Sequence, residues 1–372
     1  MQRFMISRRS LMKSAAVGAL GLTAGALPFR PARAAGDLTI GIVYVGPRDD
    51  FGWNQAHAVA AEALKKVPGV TVVEEENVPE TIACAKTMES MIELDGAGLI
   101  FATSFGYYNP YVIDTAKKYP EVQFRHAAGL WTDKDPKNAG SYYGYLDQAH
   151  YVDGIAAGLI TKSNKIGFVA AKPIGTVLLN INSFTMGVRK NNPNATVQVI
   201  FTGEWSMPVR EAEATNALVD AGCDIITCHV DSPKVVIQTA EGRGVKTCGH
   251  NADQAPLAPK GFITGAEYKW ATIYKEFADI LTSGGELPNF VRGGYDRDYV
   301  QNSPYGAGAT PEAIAAADKA KEDMRGLMPV FVGPLKDNTG KEVIPAGTVH
   351  KPYDVWLEQT SFLVEGVSGS IT

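Results

Sequence analysis

Short apolar runs alternate along the chain with longer stretches whose apolar positions recur every three or four residues. Residues 38–45, Leu-Thr-Ile-Gly-Ile-Val-Tyr-Val, read as a buried strand. A turn at Gly46-Pro47 follows, then helical periodicity over 53–66. A second strand is predicted at 70–75, and a helix over 81–94 places Ile82, Ala85, Met88 and Ile92 on one face. Strands at 98–103 and 122–126 flank a helix at 109–118. This alternation predicts a parallel sheet with helices on both faces.

The pattern then restarts. Helices are predicted at 150–161, 176–190, 208–221, 233–242 and 270–283, and strands at 165–170, 196–202, 224–229, 245–249 and 261–267. In the tail, 330–335 and 342–344 around Asp337-Asn338-Thr339-Gly340 predict a hairpin. The fold class is α/β: two Rossmann-like lobes, each a parallel sheet flanked by helices, with a ligand cleft between them. The boundaries are 35–147 plus about 267–290 for one lobe, and 148–266 plus about 291–372 for the other. The 338 residues after position 34 exceed what one core normally holds, which agrees with two lobes.

The first 34 residues change the picture. Ser7-Arg8-Arg9-Ser10-Leu11-Met12-Lys13, an apolar run over 14–27 and Ala32-Arg33-Ala34 have the layout of a twin-arginine export signal cleaved after Ala34. The run is short and rich in Gly and Ala against the roughly 20 apolar residues of a membrane span, and no second long apolar stretch follows. The expected location is therefore the periplasm. No Cys lies just after the apolar run, so no lipid-attachment site is visible. The signal holds six basic residues and no acid; of 35 Lys and Arg against 40 Asp and Glu, the remainder keeps 29 against 40, a formal charge of −11. That balance argues against nucleic acid or an anionic membrane as partner and favours a freely diffusing protein. Cys84, Cys223, Cys228 and Cys248 meet an oxidising compartment; Cys228 and Cys248, on two strands, either bond or pack as thiols.

Open α/β sheets bind ligands beyond the carboxyl ends of their strands. Those ends carry Phe51, Trp53, Phe105, Tyr107, Tyr108, Trp205, Tyr268 and Trp270, interleaved with Asp50, Asn54, Ser104, Asp231, Asn251 and Asp253. Aromatic faces stack on a flat ring, and amides and carboxylates satisfy its polar edge; a nucleobase has that shape. Any one of these aromatics can instead pack lobe against lobe. Enzyme signatures are weak: there is no phosphate loop, no G-x-S-x-G elbow and no G-x-G-x-x-G after the first strand, and no cofactor is implied. Cys228-His229 with Cys248 and His250 lack the C-x-x-C core of a metal site.

At Asp50-Phe51-Gly52-Trp53-Asn54-Gln55, Ala102-Thr103-Ser104-Phe105-Gly106-Tyr107, 161–167, Gly249 with Asp253-Gln254, and Phe331-Val332-Gly333-Pro334, the chain resembles the basic membrane protein family of ABC-transporter substrate-binding proteins, the purine-nucleoside-receptor type. The resemblance implies a type I periplasmic-binding-protein fold that closes like a clamshell, a purine-type ligand and an ABC permease as partner. It also implies that Phe51 or Trp53 stacks on the base, that Asn54 bonds its edge, that Ser104 and Phe105 line the first wall and that Ile174 and Trp205 close from the second. Asp231, Asn251, Asp253 and Tyr268 complete the expected ligand set.

Two departures from the family pattern bear on the ligand. Asn251 stands where nucleoside-binding members have an acid for the ribose hydroxyls, and Tyr268 stands where they have a Lys, with Lys269 beside it. This favours a free base such as adenine over a nucleoside. The expectation is a non-enzymatic receptor for import. The alternatives are an exported nucleoside-processing enzyme drawing on Asp49, Asp50, Asp231 or Asp253, and a binding protein serving a chemoreceptor.

Overall fold

The computed structural model describes residues 37–371; the export signal and cleavage site expected from the sequence lie outside them. The first sheet is built from β1 (Leu38–Val43), β2 (Val70–Glu75), β3 (Leu99–Ala102), β4 (Gln123–Ala127) and β5 (Ala139–Gly144), with helices α1 (Trp53–Leu64), α2 (Ile82–Glu93) and α3 (Ile113–Lys118) between them. Helix α4 (Asp147–Ile160) leads into a second series. This comprises β6 (Lys165–Ala170), α5 (Gly175–Asn191), β7 (Thr196–Phe201), α6 (Pro208–Asp220), β8 (Ile225–His229), α7 (Lys234–Gly242), β9 (Lys246–Asn251) and β10 (Phe262–Tyr268). The chain then returns through α8 (Trp270–Thr282) and β11 (Phe290–Gly293) to the first sheet, and through β12 (Val300–Asn302) to the second. The remaining elements are α9 (Pro311–Arg325), β13 (Leu335–Lys336), β14 (Glu342–Ile344), α10 (Val355–Glu358) and β15 (Val367–Ser368).

The first sheet has the order β11-β5-β4-β3-β1-β2 and is parallel throughout. The second has the order β12-β10-β9-β8-β6-β7-β15 and is parallel except for β12. Strands such as Leu-Thr-Ile-Gly-Ile-Val of β1 are apolar on both faces because helices cover both. Helices α2 and α3 enclose one apolar cluster around Ile100 and Phe124; α6 and α7 enclose another around Val169 and Ile226. The opposite faces share a continuous core that includes α1, α8, α4 and α5. Helices α4 and α5 approach closely: a Cβ at Gly154 would lie 2.1 Å from the Phe184 carbonyl oxygen. The β13–β14 hairpin forms as the turn residues predict.

The periodicity did not mark β5. Its Ala-Gly-Ser-Tyr-Tyr-Gly has no aliphatic run, yet every residue is buried. The helix expected over 109–118 is α-helical only from Ile113; a π turn over Tyr108–Val112 leads into it, with Asn109 extended (φ −123°, ψ 121°) ahead of Pro110. All four cysteines are free, buried thiols. Among the described residues no helix is long and apolar enough to cross a membrane, and no group of three or more His, Cys, Asp or Glu is arranged to hold a metal ion.

Candidate functional site

The carboxyl ends of the two sheets face a common cavity, whose enclosed space is about 40 Å³ and which opens to solvent on one side. It is lined by Trp53, Ser104, Phe105, Ala127, Ala128 and Tyr143 from the first sheet's strand ends, and by Ile174, Thr176, Trp205, His229, Asp231 and Tyr268 from the second's.

Trp53 opens α1, and its indole Nε1 donates to the Thr103 carbonyl at 2.5 Å, which fixes the ring plane. Its edge meets Tyr268 at 5.5 Å and Trp270 at 5.8 Å, and Tyr268 stacks on the fully buried Trp270 at 4.0 Å. A rigid aromatic layer stands behind: His57 lies parallel to Trp270 at 4.9 Å, and His57 Nδ1 pairs with the Tyr274 hydroxyl at 2.8 Å. Across the mouth, Phe105 and Trp205 approach to 6.5 Å, and the Lys172 ammonium sits 5.2 Å over the Trp205 ring while pairing with Glu204 at 2.7 Å. Phe105 is half exposed, so this side of the cavity opens to solvent.

The polar groups are few. Ser104 Oγ donates to Glu80 at 2.6 Å, and His126 Nε2 donates to the Ser104 carbonyl at 2.6 Å. His229 is held down to about 3 by burial, so its ring is neutral. With Asn180 Nδ2 donating to His229 Nδ1 at 3.0 Å, the ring proton sits on Nε2. Tyr143 and Tyr268 are both raised by burial and remain phenols. The uncapped start of α5 brings Ile174 and Thr176 to the wall. Asp231 reaches the cavity from the loop after β8. Its carboxyl is pushed well above the ordinary range, first by burial and then by Asp50, Glu80 and Glu211, with Lys172 opposing. The Asp231 carboxyl therefore keeps its proton and offers the cavity both an O–H donor and a carbonyl acceptor.

Of the residues expected from sequence, Trp53, Ser104, Phe105, Ile174, Trp205, Asp231 and Tyr268 line this cavity; Phe51, Asn54, Asn251 and Asp253 do not. Asn54 is engaged within its own turn: Oδ1 accepts from the Gly46 amide at 3.2 Å, and Nδ2 donates to Asp50 at 2.8 Å. Asp50 itself caps α1, accepting from the amides of Gly52, Asn54 and Gln55. Phe51 has a left-handed backbone (φ 57°), and its ring lies under Lys234. Asn251, also left-handed (φ 71°), is buried with an unpartnered Oδ1. Asp253 is exposed and accepts from the Ala255 amide at 2.9 Å. Sequence reasoning missed Tyr143, on the unmarked strand β5, and Thr176. His229 was weighed only as a metal ligand, although it stands at a strand end like the others.

The sequence matches the model of the Bmp family, ABC transporter substrate-binding proteins of the PnrA-like type, over residues 38–302. It is 32% identical over 342 residues to a purine-binding protein of Brucella abortus, covering 91% of this chain and 95% of that one. A Haloferax volcanii protein, named as a glucose-binding component of an ABC transporter, is 29% identical over 332 residues, covering 88% and 80%. Among solved structures, solute-binding proteins of ABC transporter systems from Conexibacter woesei and Aeropyrum pernix superpose with TM-scores of 0.65 and 0.66 at 22% and 18% identity, covering 78% and 82% of this chain and 96% and 94% of theirs. Those likenesses establish the type I binding-protein fold. With the two parallel sheets and the cavity at their carboxyl ends, the chain belongs to the Bmp family of ABC transporter substrate-binding proteins.

Proposed function

We propose that this protein is the periplasmic receptor of an ABC importer, delivered by the twin-arginine route, and that it binds a free purine base such as adenine in preference to a nucleoside. The two sheets with their helices act as the lobes of a clamshell, and the ligand lies between Trp53 and Tyr268 on one wall and Phe105 and Trp205 at the mouth. The observation that carries the reading is a cavity walled by aromatic rings, with one half-buried, protonated carboxyl, Asp231, able to donate to a ring nitrogen and accept from an exocyclic N–H.

Two features support base over nucleoside. No acid stands at position 251, and the Asn251 side chain lies outside the cavity lining. Lys269, the nearest candidate for the missing base, has its ammonium on Asp298 at 2.5 Å, while Tyr268 takes the place on the wall. The ribose hydroxyls would meet phenol and indole where they need an ion pair. The site offers a wall of aromatic rings for stacking, which supports a receptor that binds its ligand.

The test is calorimetry of the purified, signal-free protein with adenine, hypoxanthine, adenosine and glucose, followed by chromatography of the adenosine sample. Adenine is expected to bind tightest, with adenosine weaker and intact after incubation. Tighter binding of adenosine refutes the base preference; tight glucose binding alone refutes the purine reading; released adenine refutes the receptor reading.

A further inference from the structure

The turn after β1 reaches across to the second sheet through four contacts that the cavity does not explain. The Trp53 amide donates to the Asp231 carbonyl at 3.0 Å. Gln254 Nε2 donates to the Phe51 carbonyl at 2.7 Å. The Lys234 ammonium stands 5.6 Å over the Phe51 ring. Gly52 is pressed against the loop after β8: a Cβ there would lie 2.0 Å from the Asp231 carbonyl oxygen and 2.4 Å from Pro233 Cδ. The left-handed Phe51 (φ 57°) turns its carbonyl towards Gln254, whose amide is already fixed by His250 at both its amide N–H and its carbonyl.

We infer that Phe51-Gly52-Trp53 is a latch that holds the two halves of the cleft together, and that Gly52 is the positioning residue that lets it shut. The inference rests on the clamshell reading given above and concerns its closed state. Trp53 and Asp231 line the cavity with their side chains and join each other through their backbones, so closing on the ligand and forming the latch are one motion. Contacts present only in the closed state raise affinity by shifting the population towards it, and their loss is read mainly in dissociation. Any side chain at position 52 would force the Asp231–Pro233 loop away.

The experiment compares wild type, Gly52→Ala and Lys234→Ala by stopped-flow binding of adenine, small-angle scattering with and without adenine, and thermal unfolding without ligand. Gly52→Ala is expected to bind roughly ten- to hundredfold more weakly, with most of the loss in faster dissociation. With saturating adenine it stays more extended than wild type, and its ligand-free melting is unchanged. Lys234 is exposed, so Lys234→Ala keeps the fold and tests the latch if Gly52→Ala does not fold; its expected loss is about two- to fivefold in the same direction. Wild-type affinity and compaction in Gly52→Ala, or in Lys234→Ala where that variant decides, overturn the latch. If wild type ignores adenine, the purine reading falls on its own. The latch is then decided by the same two readouts with adenosine or glucose, whichever binds: wild-type affinity and compaction in Gly52→Ala overturn it, and binding of none of them overturns the clamshell reading and the latch with it.

Discussion

Replacing Asp231 with Asn separates what this side chain does for binding from what it does to stability. The folded chain holds the Asp231 carboxyl well above its ordinary range, mainly by burial and then by Asp50, Glu80 and Glu211. A group whose folded pKa is raised keeps a proton that the unfolded chain has released. Stability therefore falls as pH rises from about 4, the unfolded value, towards the folded value. Asn carries no charge at any pH, so Asp231→Asn removes that slope. A gain of about 1–2 kcal/mol at pH 7 is the usual scale for relieving a functional group that strains its site. For about 335 folded residues, an unfolding entropy near 2.1 cal/mol/K per residue makes 1 kcal/mol roughly 1.4 °C, so the melting temperature should rise by about 1.5–3 °C. Binding should move the other way. A hydrogen bond to this neutral carboxyl contributes about 0.5–1.5 kcal/mol, so purine affinity should fall roughly two- to twelvefold. Thermal scans from pH 4 to 8, paired with calorimetry at pH 7, read both effects. A variant less stable than wild type at pH 7, or one that binds adenine equally well, refutes the placement of a carboxyl held protonated on the cavity wall.

Three further outcomes are expected. Trp53→Ala removes a stacking face and the indole bond to Thr103; it should weaken adenine binding by about 2–3 kcal/mol with the far-UV spectrum unchanged, and unchanged affinity would show that the ring only packs. Asp147, buried with an unpartnered Oδ1, is raised to about 7 by burial; stability should fall between about pH 4 and 7, and Asp147→Asn should flatten that part of the profile in pH-dependent unfolding. Arg292 and Glu358 form a buried bidentate pair, Nε to Oε1 at 2.7 Å and Nη2 to Oε2 at 3.0 Å, that ties the C-terminal segment to β11. Glu358→Gln should lower stability by about 3–5 kcal/mol, whereas replacing both residues by Met and Leu should recover most of it; equal losses would mean the pair is not coupled.

The parts of this protein that were legible in its sequence share one property: their local pattern serves the same end as their tertiary role. Parallel strands covered on both faces must be apolar runs, so β1, β3, β6 and β8 stand out, and the residues that follow them are placed at the cleft by topology alone. Trp53, Ser104, Trp205, Asp231 and Tyr268 were found by that rule. The same rule over-predicts polar residues, because a strand end is also where a helix begins and needs donors and acceptors. Asn54 sits at a strand end and looks free in the sequence, but the turn from β1 to α1 uses both ends of its amide. Asp253 satisfies the turn before Leu257 in the same way. Tyr143 failed in the opposite direction: its strand carries aromatic and small residues that pack as well as aliphatic ones but leave no periodic trace. Position in the sheet thus identifies where a ligand can lie. Whether a polar side chain there faces the ligand depends on backbone groups nearby that already claim it, and those are fixed only when the chain folds.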